Sequence, residues 1–407
     1  MIRDIEIAYF LAFRSIRRGN KGTLAMTILI MILAFINLVF VASIFLGIVH
    51  AINVQSINNI FGNIVIEPEK DKTYLEQVSQ IENIVKDVPG VVGLSAHYVG
   101  NSIISYDANN DGEDVKSGSW VVKSVNIEDE IKTTEIFKSI IDGEYLASLD
   151  RDKIVLGKDI SGTHGSAFKN SSLEGVEVGD DVTVKFNNGL IRKYQVKGIF
   201  STKSNQVDQM AFLTEKEMES VLGVSNRASE VIVKISETGR EQEYIAEFRK
   251  AGLLKEDIKS WEELMGLTAS VSKSFSMISI ILGIIGTIVA GVTIFIVIFV
   301  SVVNKKRQIG ILKAIGMKES TIVFSFVLQA LFYAVAGIGL GLLIMLYIVT
   351  PFFISHPLDF PVGWVSLDIT RTNLIISTVS LIVASLVGGL IPAWRGASES
   401  ILEAIWG

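Results

Sequence analysis

The residues able to do acid–base or metal chemistry in this sequence are thinly spread. Its four histidines, His50, His97, His164 and His356, stand singly, and there is no cysteine to share a metal with them. An HExxH pair, which would set two imidazoles on one helix face for zinc, is absent. The acidic run DANNDGED, residues 107–114, has calcium-loop composition but lacks the glutamate that closes such a loop, and it reads as a solvated surface loop. Neither GNKGT nor GIFSTKS has the Gly-Lys-Ser/Thr combination that cradles a nucleotide phosphate. The outer carboxylates form no acid and base pair that stands out. No catalytic residue and no metal ligand is therefore expected, and the chain reads as non-catalytic.

One cationic stretch remains. NKKRQIGILKAIGM, residues 304–317, carries Lys305, Lys306, Arg307 and Lys313 between two long uncharged runs. On a helical wheel at about 100° per residue, Ile309, Ile311, Leu312 and Ile315 gather on one side, and Lys306, Gly310, Lys313, Ala314 and Met317 on the other. The first side can lie against lipid or adjoining helices. The second offers cations around small residues that permit close backbone approach. Two readings stay open on these residues alone: a helix that enters a groove on another protein, or a basic loop whose only duty is topology.

What positions this stretch is a set of membrane spans. The chain has 407 residues, 49% of them hydrophobic, and a mean hydropathy of +0.45. That is too apolar for an ordinary soluble protein and too charged for one that is membrane throughout. Asp, Glu, Lys and Arg are absent from Gly22 to Ile66, Ser274 to Asn304, Ser320 to Leu358 and Thr372 to Trp394. A hydrocarbon core needs about 20 helical residues, so four spans are expected, at 22–49, 273–303, 321–350 and 373–393. The first apolar run exceeds the usual signal-peptide core of about 7 to 15 residues and is expected to be a retained anchor. Without cysteine there is neither a lipobox nor a disulfide.

Orientation follows from the cations beside the spans. Arg3, Arg14, Arg17, Arg18 and Lys21 precede the first; Lys305, Lys306, Arg307, Lys313 and Lys318 occupy the 304–320 segment. The 351–372 loop offers Arg371 against Asp359 and Asp368. Both termini and the 304–320 segment are therefore expected in the cytoplasm, with 351–372 a short external loop and 394–407 a cytoplasmic tail. Residues 50–272 fall outside, with 24 Lys plus Arg against 36 Asp plus Glu, a formal net charge of −12. The expected location is the cytoplasmic (inner) membrane, multi-pass, with no nucleic acid partner.

Residues 1–21 predict an amphipathic helix on the inner membrane face, with Ile5, Tyr9, Ala12, Phe13 and Ile16 at helical spacing. The external domain begins and ends with related units. NIVIEP reads as a strand, TYLEQVSQIENIVKDV as a helix and VVGLSAHYV as a strand; later SEVIVKIS is a strand, GREQEYIAEFRKAGLL a helix and DIKSW a short return. Two such units suggest a pseudo-symmetric base around a β-rich insertion. Within the insertion, Val182, Val184 and Phe186, then NNG, then Ile191, Tyr194, Val196 and Ile199 predict a hairpin. SGTHGSAFKNSS, residues 161–172, reads as another surface loop. The expected fold class is an α-helical four-span membrane protein with a large α+β external domain, a porter-like base carrying the insertion, between spans one and two.

KKRQIGILKAIGM resembles the cytoplasmic segment of permease subunits in the MacB, LolC/LolE and FtsX superfamily of ABC transporters, whose usual form is close to R-x-x-E-I-G-I-L-R-A-I-G. Gln308 stands where that family often has glutamate, and Lys313 where arginine is frequent. IPAWRGASESILEAI, residues 391–405, is similar to the family ending P-x-W-R-A-x-x-x-x-P-x-E-A-L through Pro392, Trp394, Arg395 and Glu403, with Ile401 at the usual proline. DGEYLASLDRDKIVLGKDI, VEVGDDVTVKFNNG and YQVKGIFSTKSNQVDQMAFL resemble successive pieces of the family's external domain.

The resemblance implies a mechanotransmission transporter of two permeases and two separate P-loop ATPase subunits. Lys305, Lys306, Arg307, Gln308, Ile309, Gly310, Ile311, Leu312, Lys313, Ala314, Ile315 and Gly316 would form the ATPase-coupling helix. ATP and Mg2+ would sit on the partner ATPase and no cofactor on this chain. The second permease, identical or paralogous, would pair chiefly through the first two spans. An amphipathic cargo such as a lipoprotein, peptide, lipid or drug would be exported or extracted at the outer face. The alternative is an FtsX-like regulator that activates an external cell-wall hydrolase.

Overall fold

The computed structural model describes residues 2–109, 112–163, 172–360 and 363–401. His164, Glu403 and most of the expected loop at 161–172 lie outside the described residues. Two compact units are present, Met1–His50 with Ser272–Asp359 and Trp364–Gly407, and Ala51–Val271 with Phe360–Gly363.

Helix α1 (Ile2–Arg18) buries Ala8 and Ala12 and leaves Ile5, Tyr9, Phe10 and Phe13 exposed, the rings of Tyr9 and Phe13 stacked at 6.4 Å. Ala12 therefore leaves the apolar stripe expected to face lipid, because its small side chain lets α1 lie close to a neighbouring helix. Helix α2 (Lys21–Ser56) begins at Asn20, whose Oδ1 accepts from the amides of Gly22 (2.9 Å) and Thr23 (3.4 Å). This side chain satisfies two otherwise orphaned donors. The helix continues into a π-helical turn at Ile57–Phe61.

The second unit opens with β1 (Ile64–Glu67), β2 (Leu75–Glu76), α3 (Val78–Lys86) and β3 (Val91–His97). The helix expected over 73–88 starts only at Val78, because Leu75 and Glu76 pair as a strand with 227–228 and Gln77 takes a left-handed turn, φ 54°. The insertion follows as β4 (Val99–Tyr106), β5 (Lys116–Val125), α4 (Ile127–Thr133), β6 (Ile140–Gly143), β7 (Lys153–Gly157), α5 (Lys158–Ser161), β8 (Asp181–Lys185), β9 (Ile191–Phe200), β10 (Met210–Thr214) and α6 (Glu215–Leu222). The unit closes with β11 (Arg227–Ala228), β12 (Glu230–Ile235), α7 (Glu241–Lys250), β13 (Asp257–Ser260) and α8 (Trp261–Leu264).

The base is a four-stranded antiparallel sheet in the order β13-β1-β12-β3. Exchanging β1–α3–β3 with β12–α7–β13 maps this order onto itself, so the two units interleave as a split βαβ pair. Ile64, Ile66, Val231 and Val233 bury one face against Ile81, Val85 and Phe248 of the helices. The insertion is a seven-stranded sheet, β6-β9-β7-β10-β5-β4-β8, in which β8 also pairs with β9 and so closes six strands into a ring. Its interior is filled by Ile104, Val122, Leu156, Val184, Tyr194 and Leu213, among others, as a small barrel requires. The NNG hairpin joins β8 to β9, with Val182 opposite Tyr194 and Gly189 at φ 85°. Ile191 is exposed rather than inward. It has the opposite parity to Tyr194 and Val196, and a register shift between Val196 and Gly198 carries the inward face on to Ile199.

The remaining helices are α9 (Leu267–Asn304), α10 (Lys306–Ala314), α11 (Glu319–Ile344), which passes through a π-helical segment at Met345–Val349 into α12 (Thr350–Ser355), and α13 (Arg371–Ser398); β14 (Leu358–Phe360) and β15 (Gly363–Val365) lie before α13. Among the described residues, four helical stretches are long and apolar enough to cross a membrane: Lys21–Phe61, Ser270–Asn304, Glu319–Ser355 and Arg371–Ser398. Met31, Phe35 and Leu38 of α2, Ala290, Ile294 and Ile298 of α9, Phe326, Ala330 and Ala334 of α11 and Leu381 of α13 make their common core. Small residues allow close crossings: a Cβ on Gly388 of α13 would stand 2.4 Å from the Gly291 carbonyl oxygen of α9. Asn373 of α13 donates to Ser43 Oγ of α2 (3.1 Å), and Ser377 donates to Asn373 Oδ1 (3.4 Å), so the buried polar groups answer one another.

Candidate functional site

The Lys305–Met317 stretch forms a short helix held at both ends. After Asn304 the chain breaks at Lys305, and α10 begins one residue on. It stops in a paired cap: the amide of Met317 donates to Leu312 O (3.1 Å) and that of Gly316 to Lys313 O (3.0 Å), with Gly316 at φ 91°. These two bonds satisfy the last carbonyls, and the glycine supplies the left-handed turn they need. Leu312 and Met317 pack against the same apolar core, completing the cap's hydrophobic contact.

The side of α10 turned inward draws residues from both sides of the wheel. Ile309 and Gly310 are buried, and Leu312, Lys306 and Lys313 are half-buried, whereas Arg307, Gln308, Ile311, Ala314, Ile315 and Gly316 are exposed. Ile315 is 73% and Ile311 49% accessible. The inward turn of the lysines has an electrostatic cause. Lys313 Nζ donates to the carbonyls of Ala397 and Glu399 and to Glu319 Oε1, each at 2.7 Å, and Lys306 pairs with Glu399 at 2.9 Å. A cation at the carbonyl end of α13 also meets that helix's dipole favourably. The lysines expected to face a partner thus bind the end of α13 instead.

Lys305 Nζ donates to Ser15 Oγ of α1 and lies 5.8 Å from the Phe326 ring centroid. Lys318 pairs with Asp4 at 3.1 Å, and this ammonium holds the Asp4 carboxyl below its ordinary value. Pro392, Trp394 and Arg395 are placed within α13 itself, which continues through Pro392 to Ser398, so the expected tail at 394–407 begins as helix. Pro392 is buried; Trp394 and Arg395 are exposed.

A second cluster, in the second unit, escaped sequence reasoning. His97 at the end of β3 meets Glu130 of α4 (Nε2 to Oε2, 2.7 Å) and Glu230 of β12 (Nδ1 to Oε1, 3.3 Å). Ser95 and Thr134 each donate to Glu130 at 2.6 Å, and Lys123 of β5 pairs with Glu230 at 2.6 Å. His97 and Glu130 are both 1% exposed. Burial, the largest single influence, pushes the imidazole down, but the charge of Glu130 and the hydrogen bonds to Glu130 and Glu230 together raise His97 above its ordinary 6.5. Burial likewise opposes ionisation of Glu130 and Glu230, yet the charges of His97 and Lys123 bring both carboxyls below the ordinary 4.5. Among the described residues no group of three or more His, Cys, Asp or Glu could hold a metal ion, so this is a charged seam between the base sheet and the barrel. His50 and His356 stand apart from it; His356 stacks on Phe352 at 5.0 Å.

Residues 273–401 match the FtsX-like permease C-terminal family. An uncharacterized ABC transporter permease of Methanocaldococcus jannaschii is 24% identical over 417 residues, covering 97% of this chain and 96% of that one. The macrolide export ATP-binding/permease protein MacB of Neisseria gonorrhoeae is 24% identical over 195 residues, 46% of this chain and 29% of its own length. The chain thus spans under a third of MacB. The periplasmic region of MacB from Actinobacillus actinomycetemcomitans aligns at TM-score 0.36 and 13% identity, covering 52% of this chain and 95% of that structure. The extracellular domain of the transporter YknZ from Gram-positive bacteria aligns at TM-score 0.34 and 12% identity, covering 49% and 98%.

Proposed function

We propose that this chain, which belongs with the ABC transporter permeases of the MacB and FtsX type, couples ATP hydrolysis on a separate P-loop ATPase to motion of its outer unit. In this reading ATP and Mg2+ reside on the ATPase, two permeases and two ATPase subunits make the complex, and the cargo is an amphipathic molecule moved at the outer face of the cytoplasmic membrane. Both termini and α10 then lie in the cytoplasm. The absence of charged residues within the spans supports mechanical transmission over passage through a polar pore.

The observation that carries the reading is the exposed side of α10. Ile311 and Ile315, flanked by Arg307 and Gln308, form an apolar strip with a polar edge on a helix braced at both ends. Such a strip suits a groove on a partner. The test is affinity purification of the full-length chain in detergent from its native host. Ile311→Glu/Ile315→Glu should lose a co-purifying P-loop ATPase at least tenfold, while Leu149→Glu, at an 84% exposed outer position, should not. Wild-type recovery of the ATPase by the α10 variant would refute the docking role. Recovery of a cell-wall hydrolase in place of an amphipathic cargo would move the reading to an FtsX-like regulator.

A further inference from the structure

Between the C-terminal half of α1, the first turns of α2, the end of α9, α10 and α11 lies a cavity of about 720 Å³, its α10 wall including Gln308 and Ile311 at the edge of the exposed strip, within the usual range for small-molecule sites. Arg14, Arg18 and Lys305 line it, and no Asp or Glu does. Lys305 is half-buried; its ammonium donates to Ser15 Oγ, and that hydroxyl donates to Gln329 Oε1 at 2.8 Å. Among the described residues it makes no ion pair, whereas Lys306, Lys313 and Lys318 at the same end are paired with Glu399, Glu319 and Asp4. Asp4, Glu319 and Glu399 are therefore paired with cations that do not line the cavity, and among the described residues the Lys305 ammonium has only neutral partners. An ammonium partly withdrawn from water in this way is stabilised by a counter-anion. The first turn of α2, through Asn20 and Thr23, adds the positive end of a 36-residue helix.

The rest of the lining mixes neutral polar residues, among them Thr27, Ser301 and Gln329, with apolar ones, including Leu24 of α2, Val297 and Val300 of α9 and Tyr333 of α11. Such a site takes an anion joined to hydrocarbon. A second copy of this chain, pairing through its first two spans, would bring no carboxylate, because those spans contain none. We propose that the cavity binds an anionic phospholipid, its phosphate held by Arg14, Arg18 and Lys305 and its acyl part against Leu24, Val297 and Val300. The site needs no ATPase; it needs only that α2, α9 and α11 span the membrane.

Native mass spectrometry of the full-length chain in detergent tests this, with phosphatidylglycerol, phosphatidylcholine and inorganic phosphate as probes. The wild type should retain phosphatidylglycerol in preference to phosphatidylcholine by about tenfold or more. Lys305→Gln should weaken retention about fivefold and Arg14→Gln/Arg18→Gln roughly 25-fold, taking about 1 kcal/mol per cation. Lys305→Arg and Lys318→Gln should bind as the wild type. The two arginines are exposed, so their variant reads the site even where Lys305→Gln perturbs folding. Equal binding of the two lipids, or equal losses from Lys318→Gln, overturns the proposal. Displacement by equimolar inorganic phosphate makes it a free-anion site. A change in the monomer–dimer mass ratio with lipid retention unmoved assigns the cavity to a second copy.

Discussion

Replacing Glu130 with alanine should loosen the seam of the second unit. Three donors converge on this carboxylate, His97 Nε2 at 2.7 Å and the hydroxyls of Ser95 and Thr134 at 2.6 Å. Bonds to a charged acceptor contribute about 1.5–3 kcal/mol each, and breaking one side of a buried ion pair costs about 3–5 kcal/mol. His97 recovers part of this by releasing its proton, so about 3–4 kcal/mol is the expected net loss. At about 1.4 kcal/mol per factor of ten, amides of β3 and α4 should exchange with deuterium roughly 100- to 1000-fold faster in the full-length protein, with the spans unchanged. The pH profile adds a signature. His97 is raised, so its contribution is full below 6.5 and is lost as pH rises through the higher folded value; Glu130 and Glu230 are lowered, so theirs is full above 4.5 and is lost on acidification. Lys123 faces Glu230, and the Tyr145 phenol, pushed well up by burial and by the charge of Glu130, stays neutral throughout. Protection, corrected for intrinsic exchange, should therefore peak between about 4.5 and 6.5 in the wild type, and its alkaline decline should vanish in Glu130→Ala. Acceleration below tenfold, or an unchanged alkaline limb, would refute the idea that these charges hold the two sheets together.

Gly388→Leu should separate α9 from α13, since the new side chain meets the Gly291 carbonyl at 2.4 Å; about 1–3 kcal/mol is expected, read as a lower melting temperature in detergent. Gly316→Ala meets no neighbouring atom but must hold φ 91°, which costs about 1–2 kcal/mol; α10 amides should exchange about 5- to 30-fold faster while membrane insertion is retained. A cysteine at Ser117 should react with an impermeant thiol reagent from outside and one at Ser320 should not, and the opposite pattern would invert the proposed topology.

Charge-free runs marked where spanning helices run, and alternation around NNG marked the β8–β9 hairpin, because both patterns are local and each follows from one periodicity. The twinned strand–helix–strand units were legible for the same reason, although their interleaving, with β1 between β13 and β12, is a tertiary outcome. The facing of α10 was legible for Ile309 and Leu312 but not for its lysines. Its inward lysine is chosen by backbone carbonyls of Ala397 and Glu399, more than 80 residues away, which no hydrophobic wheel weighs. The His97 cluster was hidden by the same distance, its members lying on β3, β5, α4 and β12. The charge-free run stops at Trp394, yet α13 continues through Pro392 to Ser398, because one missing donor is tolerated where packing holds the helix.

The fixing of α10 bears on how force would travel under the proposed coupling. A helix that slid on its neighbours would dissipate a push from a partner. α10 instead has its cap closed by Gly316, Ile309 in the core and Lys313 bound to the last turn of α13, so a displacement of its exposed strip must move α13 as well. It is separated from the 38-residue α9 by Lys305 alone. Along the chain, α9 is preceded by α8 and β13, and the 36-residue α2 is followed by a π-helical turn and β1. β1 and β13 are adjacent strands, paired from Ile64 opposite Ser260 to Glu67 opposite Asp257. Two long continuous helices thus feed hydrogen-bonded neighbours of one sheet, and a relative shift of α2 and α9 would have to be borne by that ladder or by the turns entering it. Ile57–Phe61 is the break in regular α-helix on the α2 side, and it is where compliance under such a shift is expected to concentrate.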